Sequence, residues 1–204
     1  MSRDRPRTRA PRRSPDERRA QIADVARAIA VADGLSAVTL RAVAKRAGVA
    51  PALVAHYEPA MDVLVARVFA GIVADELEEV AGLAAGLAPR AALEAIIATL
   101  LGGARADVTA VWVEAWALGR RSEALAAEVR AQMDAWAALL RGVIEAGVAT
   151  GDFSVDDAGA AAWQLLGMID GLGAQALVRW GGAGERSELL LRAAEGMLGV
   201  RRGG

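Results

Sequence analysis

Thr39-Leu-Arg-Ala-Val-Ala-Lys-Arg-Ala-Gly-Val49 is the stretch on which the fold turns. Thr39 is of the type that caps a helix N-terminus, its hydroxyl accepting an early backbone N–H. Leu40, Val43, Ala44 and Ala47 then follow helical spacing. Gly48 ends the helix in a backbone conformation that a Cβ resists. A second short helix is expected from about Ala50 to His56, with Pro51 in its first turn, where no partner for its missing N–H is needed. Ala44 is small enough for that second helix to cross closely above it. Val43, Val49 and Val54 are placed to fill a core shared with the preceding helix. Together these features describe a helix-turn-helix. An ordinary αα-hairpin within a bundle would meet some of the same demands, but Arg41, Lys45 and Arg46 on the outer face favour a surface that meets a polyanion.

Upstream, Ile22, Val25, Ala26, Ile29 and Ala30 form one apolar helical face, and Gly34 is expected to stop that helix in a left-handed conformation. Residues 1–15 hold Pro6, Pro11 and Pro15 among arginines without apolar periodicity, which predicts a disordered basic tail. Downstream of Pro59, a long helix is predicted through Met61, Leu64, Val65, Val68, Phe69 and Ile72, fading near Gly82 to Gly86. Further helices are predicted over about 90–101, 107–118, 122–148, 155–179 and 186–198. Val108 to Val113 suits a strand equally well, because β-branched residues fit both. The expected fold is all-α with about nine helices. It comprises a tail (1–15), a helix-turn-helix domain (16–62) and, reached through the long helix, a larger helical domain (63–200).

Charge is distributed unevenly. Residues 1–50 hold 12 basic and 5 acidic residues, net +7, and residues 51–204 hold 12 and 20, net −8. One end is thus suited to a polyanion and the other is not. No cysteine is present, so a disulfide framework and a thiolate zinc site are excluded. The longest charge-free apolar run, Ala158 to Ile169, is shorter than the roughly 20 residues a bilayer demands. The arginine-rich N-terminus lacks the apolar segment of a signal peptide. A cytoplasmic protein is the expectation. A lone His56, without Cys or a second His, argues against a metal site, and its place near the end of the reading helix favours a DNA contact.

From Arg18-Arg19-Ala-Gln-Ile22 through Gly34 and Thr39–Val49 to Asp62-Val-Leu64, the chain resembles the TetR-type family of one-component transcriptional regulators. The resemblance implies a three-helix DNA-binding head joined by a fourth helix to a ligand-binding and dimerisation body. The stretches Trp112-Val-Glu-Ala-Trp116, Gly147-Val-Ala-Thr-Gly-Asp-Phe153 and Leu165-Leu-Gly-Met-Ile-Asp-Gly-Leu172 are similar to the branch typified by the choline-responsive repressor. They do not carry over an effector. The chain departs from the family pattern at Ala55 (usually aromatic), Glu58 (phenylalanine), Ala60 (serine) and Met61 (lysine, which touches a phosphate). Glu58 would repel a phosphate if it faced one.

The expected DNA-contacting set is Thr39, Arg41, Lys45, Arg46, Ala50, Pro51, Ala52, Ala55, His56 and Tyr57. Pro51, Ala52 and Ala55 offer apolar contact to thymine methyls, and only His56 and Tyr57 in the second helix hydrogen-bond. Direct readout is therefore thin, and the arginine tail is expected to add phosphate or minor-groove contacts.

All five tryptophans lie in the second half. Large aromatics at helical spacing serve as core more commonly than as a ligand cage. The functional reading is an apolar cavity lined by Trp112, Trp116, Met133, Trp136, Trp163, Gln164, Met168 and Asp170, with Glu114, Gln132 and Asp134 as further polar candidates. An aromatic-plus-acid lining would suit a cation. Gly167, Gly171 and Gly173 interrupt an apolar helix at about 1 kcal/mol each, a cost that the close approach of another helix would offset. The last two helices are therefore the expected homodimer interface, through Leu166, Gly167, Gly171, Gly173, Leu190, Ala194 and Met197.

The residues contain no Ser/His/Asp arrangement, phosphate loop or metal spacing, so neither an enzyme nor a cofactor is expected. A ligand-responsive regulator, most simply a repressor that binds a roughly palindromic operator as a dimer and leaves it when a small effector binds, fits best. The alternative is a helical ligand-binding or scaffold protein with degraded operator recognition.

Overall fold

The computed structural model describes residues 14–200. The tail expected over residues 1–15 lies outside the described residues as far as residue 13. Of its last two residues, Ser14 caps the first helix and Pro15 opens it. Ser14 caps α1 (Pro15–Asp33) in a reciprocal box: its hydroxyl accepts the Glu17 N–H at 3.1 Å, and the Glu17 carboxylate accepts the Ser14 N–H at 2.7 Å. Gly34 closes α1 with φ +90° and ψ 164°. The φ is positive as expected, but the ψ is extended rather than left-handed helical, and the chain runs directly into a single 3-10 turn at Leu35–Ala37.

Thr39 caps α2 (Leu40–Ala47), its hydroxyl accepting the Ala42 N–H at 3.2 Å. Gly48 turns with φ +67° and ψ +35°, the left-handed conformation that glycine adopts without steric cost. α3 (Pro51–Tyr57) follows. Ile22, Ala26 and Ile29 from α1 meet Val43, Ala44 and Val54 in one core, and Leu64 of the next helix closes it from below. Val49 packs against this core only partly buried.

α4 (Met61–Ala84) is 24 residues long, about 36 Å at 1.5 Å per residue, and connects the head to the body. The body comprises α5 (Pro89–Leu101), α6 (Ala106–Gly119), α7 (Glu123–Thr150), α8 (Ala158–Leu177) and α9 (Ala183–Met197). α7 packs along α4 on one side and α8 on the other. The strand-like run Val108 to Val113 lies inside α6, where burial of Val111 and Ala115 against the neighbouring helices outweighs β-branched preference.

The Gly147–Phe153 stretch has a packing role. A Cβ on Gly147 would lie 2.0 Å from the buried Phe153 ring, so the missing side chain lets the ring fold back onto α7. No single described helix is long and apolar enough to cross a membrane.

Candidate functional site

Two places gather the expected functional side chains. The first is the outer face of the head. Thr39, Arg41, Lys45, Arg46, Ala50, Pro51, Ala52, Ala55 and His56 are all exposed, and Tyr57 is half-buried. Inward-facing Val43, Ala44 and Val54 fix the phase of both short helices and thereby turn this set outward. Tyr57 is held by an edge contact with His56 (5.1 Å between centroids) and by the Arg19 guanidinium 5.6 Å from its ring. The Arg46 guanidinium stands 4.0 Å from Asp33, a loose exposed pair that holds it weakly.

Glu58 does not face outward. It is 6% exposed and accepts from the Arg67 guanidinium at 2.8 Å, one helix further on. The sequence-based concern that it would repel a phosphate is thereby removed, because its charge is turned into the molecule and paired. Met61 packs partly buried against the core.

The second place is a cavity in the body, between α4, α5, α6, α7 and α8. Trp112, Trp116, Met133, Trp136 and Asp170 of the expected set line it. Leu100, Thr109, Leu166, Ile169, Gly173 and Glu76 complete the wall. Its volume is about 50 Å³. That is room for a few waters at about 10–15 Å³ each, which restricts an occupant to a small molecule. Phe69 meets Trp112 edge-on at 5.0 Å, and Trp112 lies 5.7 Å from Trp116, so one aromatic stack forms a wall. The Trp136 indole N–H is buried without a hydrogen-bond partner among the described residues.

Trp163, Gln164 and Met168 are not brought into the cavity. Trp163 is 72% exposed, because the inward face of α8 is Ala162, Leu165, Leu166 and Ile169. Leu166 and Gly173, expected at a dimer face, line the cavity instead. The close approach that tolerates Gly173 comes from α6: a Cβ there would stand 3.4 Å from the Thr109 methyl. Leu190 (0% exposed) and Ala194 (1%) are consumed by the chain's own core, and Met197 packs partly buried against it. Gly167 and Gly171 are exposed, with open space where a Cβ would sit. With Trp163 they make an outward row at four-residue spacing, and exposed Leu189 stands on α9.

Glu76 was not anticipated. Its phase carries the signal: Phe69, Ile72, Val73 and Val80 on α4 are buried, and Glu76 falls on their face. Burial pushes its carboxyl up from 4.5 to about 7, with Asp107 and Glu79 adding to the rise and Arg105 and the Trp112 side chain opposing it. Burial also raises Asp170 from 3.8 to about 6. In both cases the folded state holds the proton more tightly than the unfolded chain. The associated stability is complete below the ordinary values and is lost as pH rises through about 6 to 7. Glu76→Gln is expected to remove up to about 3 kcal/mol of that pH dependence. Urea melts at pH 5 and pH 8 check this, and equal pH slopes for the two proteins would refute it. Among the described residues, no group of three His, Cys, Asp or Glu could hold a metal ion.

Two family models match the chain. Residues 22–68 match the bacterial regulatory proteins of the tetR family, and residues 89–198 match the C-terminal domain of BetI-type transcriptional repressors. No protein of curated function matches in sequence. Among solved structures, a transcriptional regulator from Saccharomonospora viridis in complex with choline is similar at 23% identity, covering 92% of this chain and all of that one (100%), with a TM-score of 0.77. A transcriptional regulator from Pseudomonas aeruginosa PAO1 is 22% identical over 92% of this chain and 93% of its own, at 0.74. A TetR-family regulator from a Rhodococcus species is 22% identical over 90% and 99%, at 0.72. These likenesses show a shared all-α architecture, with a small helical head carried by a long helix on a larger bundle. The chain belongs to the TetR family of bacterial regulatory proteins and has a C-terminal domain of the BetI repressor type, which makes it a ligand-responsive transcriptional regulator and not an enzyme.

Proposed function

We propose that two copies of the chain bind a roughly palindromic operator and leave it when a small organic cation fills the body cavity. The exposure of α3 beside Arg41, Lys45 and Arg46 is the observation that carries the DNA half of this reading. In a dimer the two α3 helices would enter successive major grooves about 34 Å apart. Pro51, Ala52 and Ala55 would meet thymine methyls, His56 would hydrogen-bond a base edge, and Thr39 would give its free O–H to a phosphate. The open row of Trp163, Gly167 and Gly171 suits a helix–helix seam between copies, since the glycines leave room for a partner backbone.

The effector half rests on three tryptophans and two acids around one small space. Aromatic faces attract a cation, and a deprotonated Glu76 or Asp170 supplies a counter-charge. The unpartnered Trp136 N–H would suit a hydroxyl or carbonyl oxygen on the same ligand, because leaving a buried donor unmade costs about 1–3 kcal/mol. The choline held by the similar Saccharomonospora viridis regulator has both features, a quaternary ammonium and a hydroxyl.

The test uses the full chain, DNA from around its own gene and scrambled DNA of equal length, titrated over a range of salt with and without choline. Sequence preference, a steep salt slope and weaker binding in choline are expected. Indifference to sequence would favour a ligand-binding protein without an operator.

A further inference from the structure

Beside the cavity, facing its Glu76 wall, a positive charge already stands. Arg105 precedes α6, two residues after Gly103, which has φ +87°. Its side chain is 14% exposed and divides itself between two carboxylates. One guanidinium nitrogen binds Glu79 at 2.7 Å, and Glu79 is largely in solvent. The other comes only within 3.7 Å of Glu76, the buried acid of the cavity wall. Arg105 lines a small neighbouring cavity that shares Leu100, Thr109 and Gly173 with the first. It therefore stands where the two spaces adjoin, with its strong bond pointing out and its weak one pointing in.

We propose that Arg105 is a built-in competitor for the cation site: it compensates Glu76 while the cavity is empty, and an entering organic cation displaces it onto Glu79. This rests on the cavity being a cation site. Glu76 cannot be fully compensated by two cations at once, and burial makes any unshared charge there costly. Glu79 supplies a ready second berth, so the exchange needs no new contact for the arginine. The side chain would thereby set a threshold. A ligand that neutralises Glu76 less well than a guanidinium at 3.7 Å does not displace it, and neutral ligands of equal size are rejected.

The experiment is a titration of the full chain with tetramethylammonium chloride, read by tryptophan fluorescence and calorimetry at constant ionic strength. Arg105→Gln is expected to bind the cation roughly tenfold more tightly, as expected when a competing state that occupies the site about nine-tenths of the time is removed. Arg105→Lys keeps the charge and should stay near the wild type. Glu79→Gln removes the outer berth and should weaken binding. In Arg105→Gln/Glu79→Gln the Glu79 change should have no further effect, because Glu79 acts only through Arg105. If the wild type binds and Arg105→Gln binds equally or more weakly, Arg105 is a structural clamp and the competition is disproved, with the cation site itself intact. Additive effects in the double variant would likewise overturn it, as plain long-range charge. If neither wild type nor Arg105→Gln binds tetramethylammonium, the cation site fails and the competition fails with it. Thermal melts of each variant identify any loss through misfolding.

Discussion

Alanine at Arg41, Lys45 and Arg46 together is expected to weaken operator binding by at least about 100-fold near 150 mM salt and to flatten its salt dependence. Each neutralised phosphate contributes about 0.9 to the slope of log affinity against log salt. Three side chains on each of two protomers would account for a loss of about 5 if all of them touch DNA. The structure makes the variant interpretable. All three residues are exposed, none packs into the head core, and among the described residues only Arg46 has an ion pair, the loose one to Asp33. Folding stability should therefore change by no more than about 0.5 kcal/mol per site. Fluorescence anisotropy on labelled duplex, from about 50 to 300 mM salt, reads both numbers. A slope equal to that of the wild type would mean that the phosphates are met elsewhere and would remove α2 from the interface.

The parts of the structure that local chemistry punctuates were readable from the sequence. Thr39, Gly48 and Pro51 each act on backbone within a few residues of themselves, so the start, turn and restart of α2 and α3 fall where the residues put them. The side chains that went astray depend on partners far away in the chain. Glu58 turns inward because Arg67 waits nine residues later. α8 is apolar almost all round, so its hydrophobic pattern has no phase, and nothing local says that Leu165 points in and Trp163 out. The same holds for the run Leu189-Leu190-Leu191, where only Leu190 is fully buried. Glu76 is the opposite case. Its position on the apolar face of α4 was available to inspection, but the meaning of that position came only with the tryptophans of α6 and with Asp170 of α8 assembled around it.

Glu114→Ala is expected to uncouple the two sites while leaving each able to bind. α6 presents Trp112 and Trp116 to the cavity, and between them in sequence Glu114 reaches the head. Its carboxylate accepts the Ser36 N–H at 2.9 Å, on the 3-10 turn that joins α1 to α2. Gly34 lies so close beneath it that a Cβ there would stand 2.1 Å from the carboxylate. One helix thus touches the effector space on one side and the base of the DNA-reading unit on the other. A ligand that shifts α6 would change the head's position only through contacts of this kind, and coupling between sites is limited by how differently the two states make them. For the wild type, choline is expected to weaken DNA binding by a factor in the usual range of about 5–150. In Glu114→Ala that factor should fall toward 1, with choline affinity in the absence of DNA within about threefold of the wild type, since the cavity wall is untouched. DNA affinity without choline should change by less than about tenfold, because the reading face is unaltered. By reciprocity, operator DNA should also cease to weaken choline binding, which calorimetry of the protein–DNA complex measures independently. A full choline response in Glu114→Ala would place the coupling outside this contact, on the long path through α4 that the head and body also share.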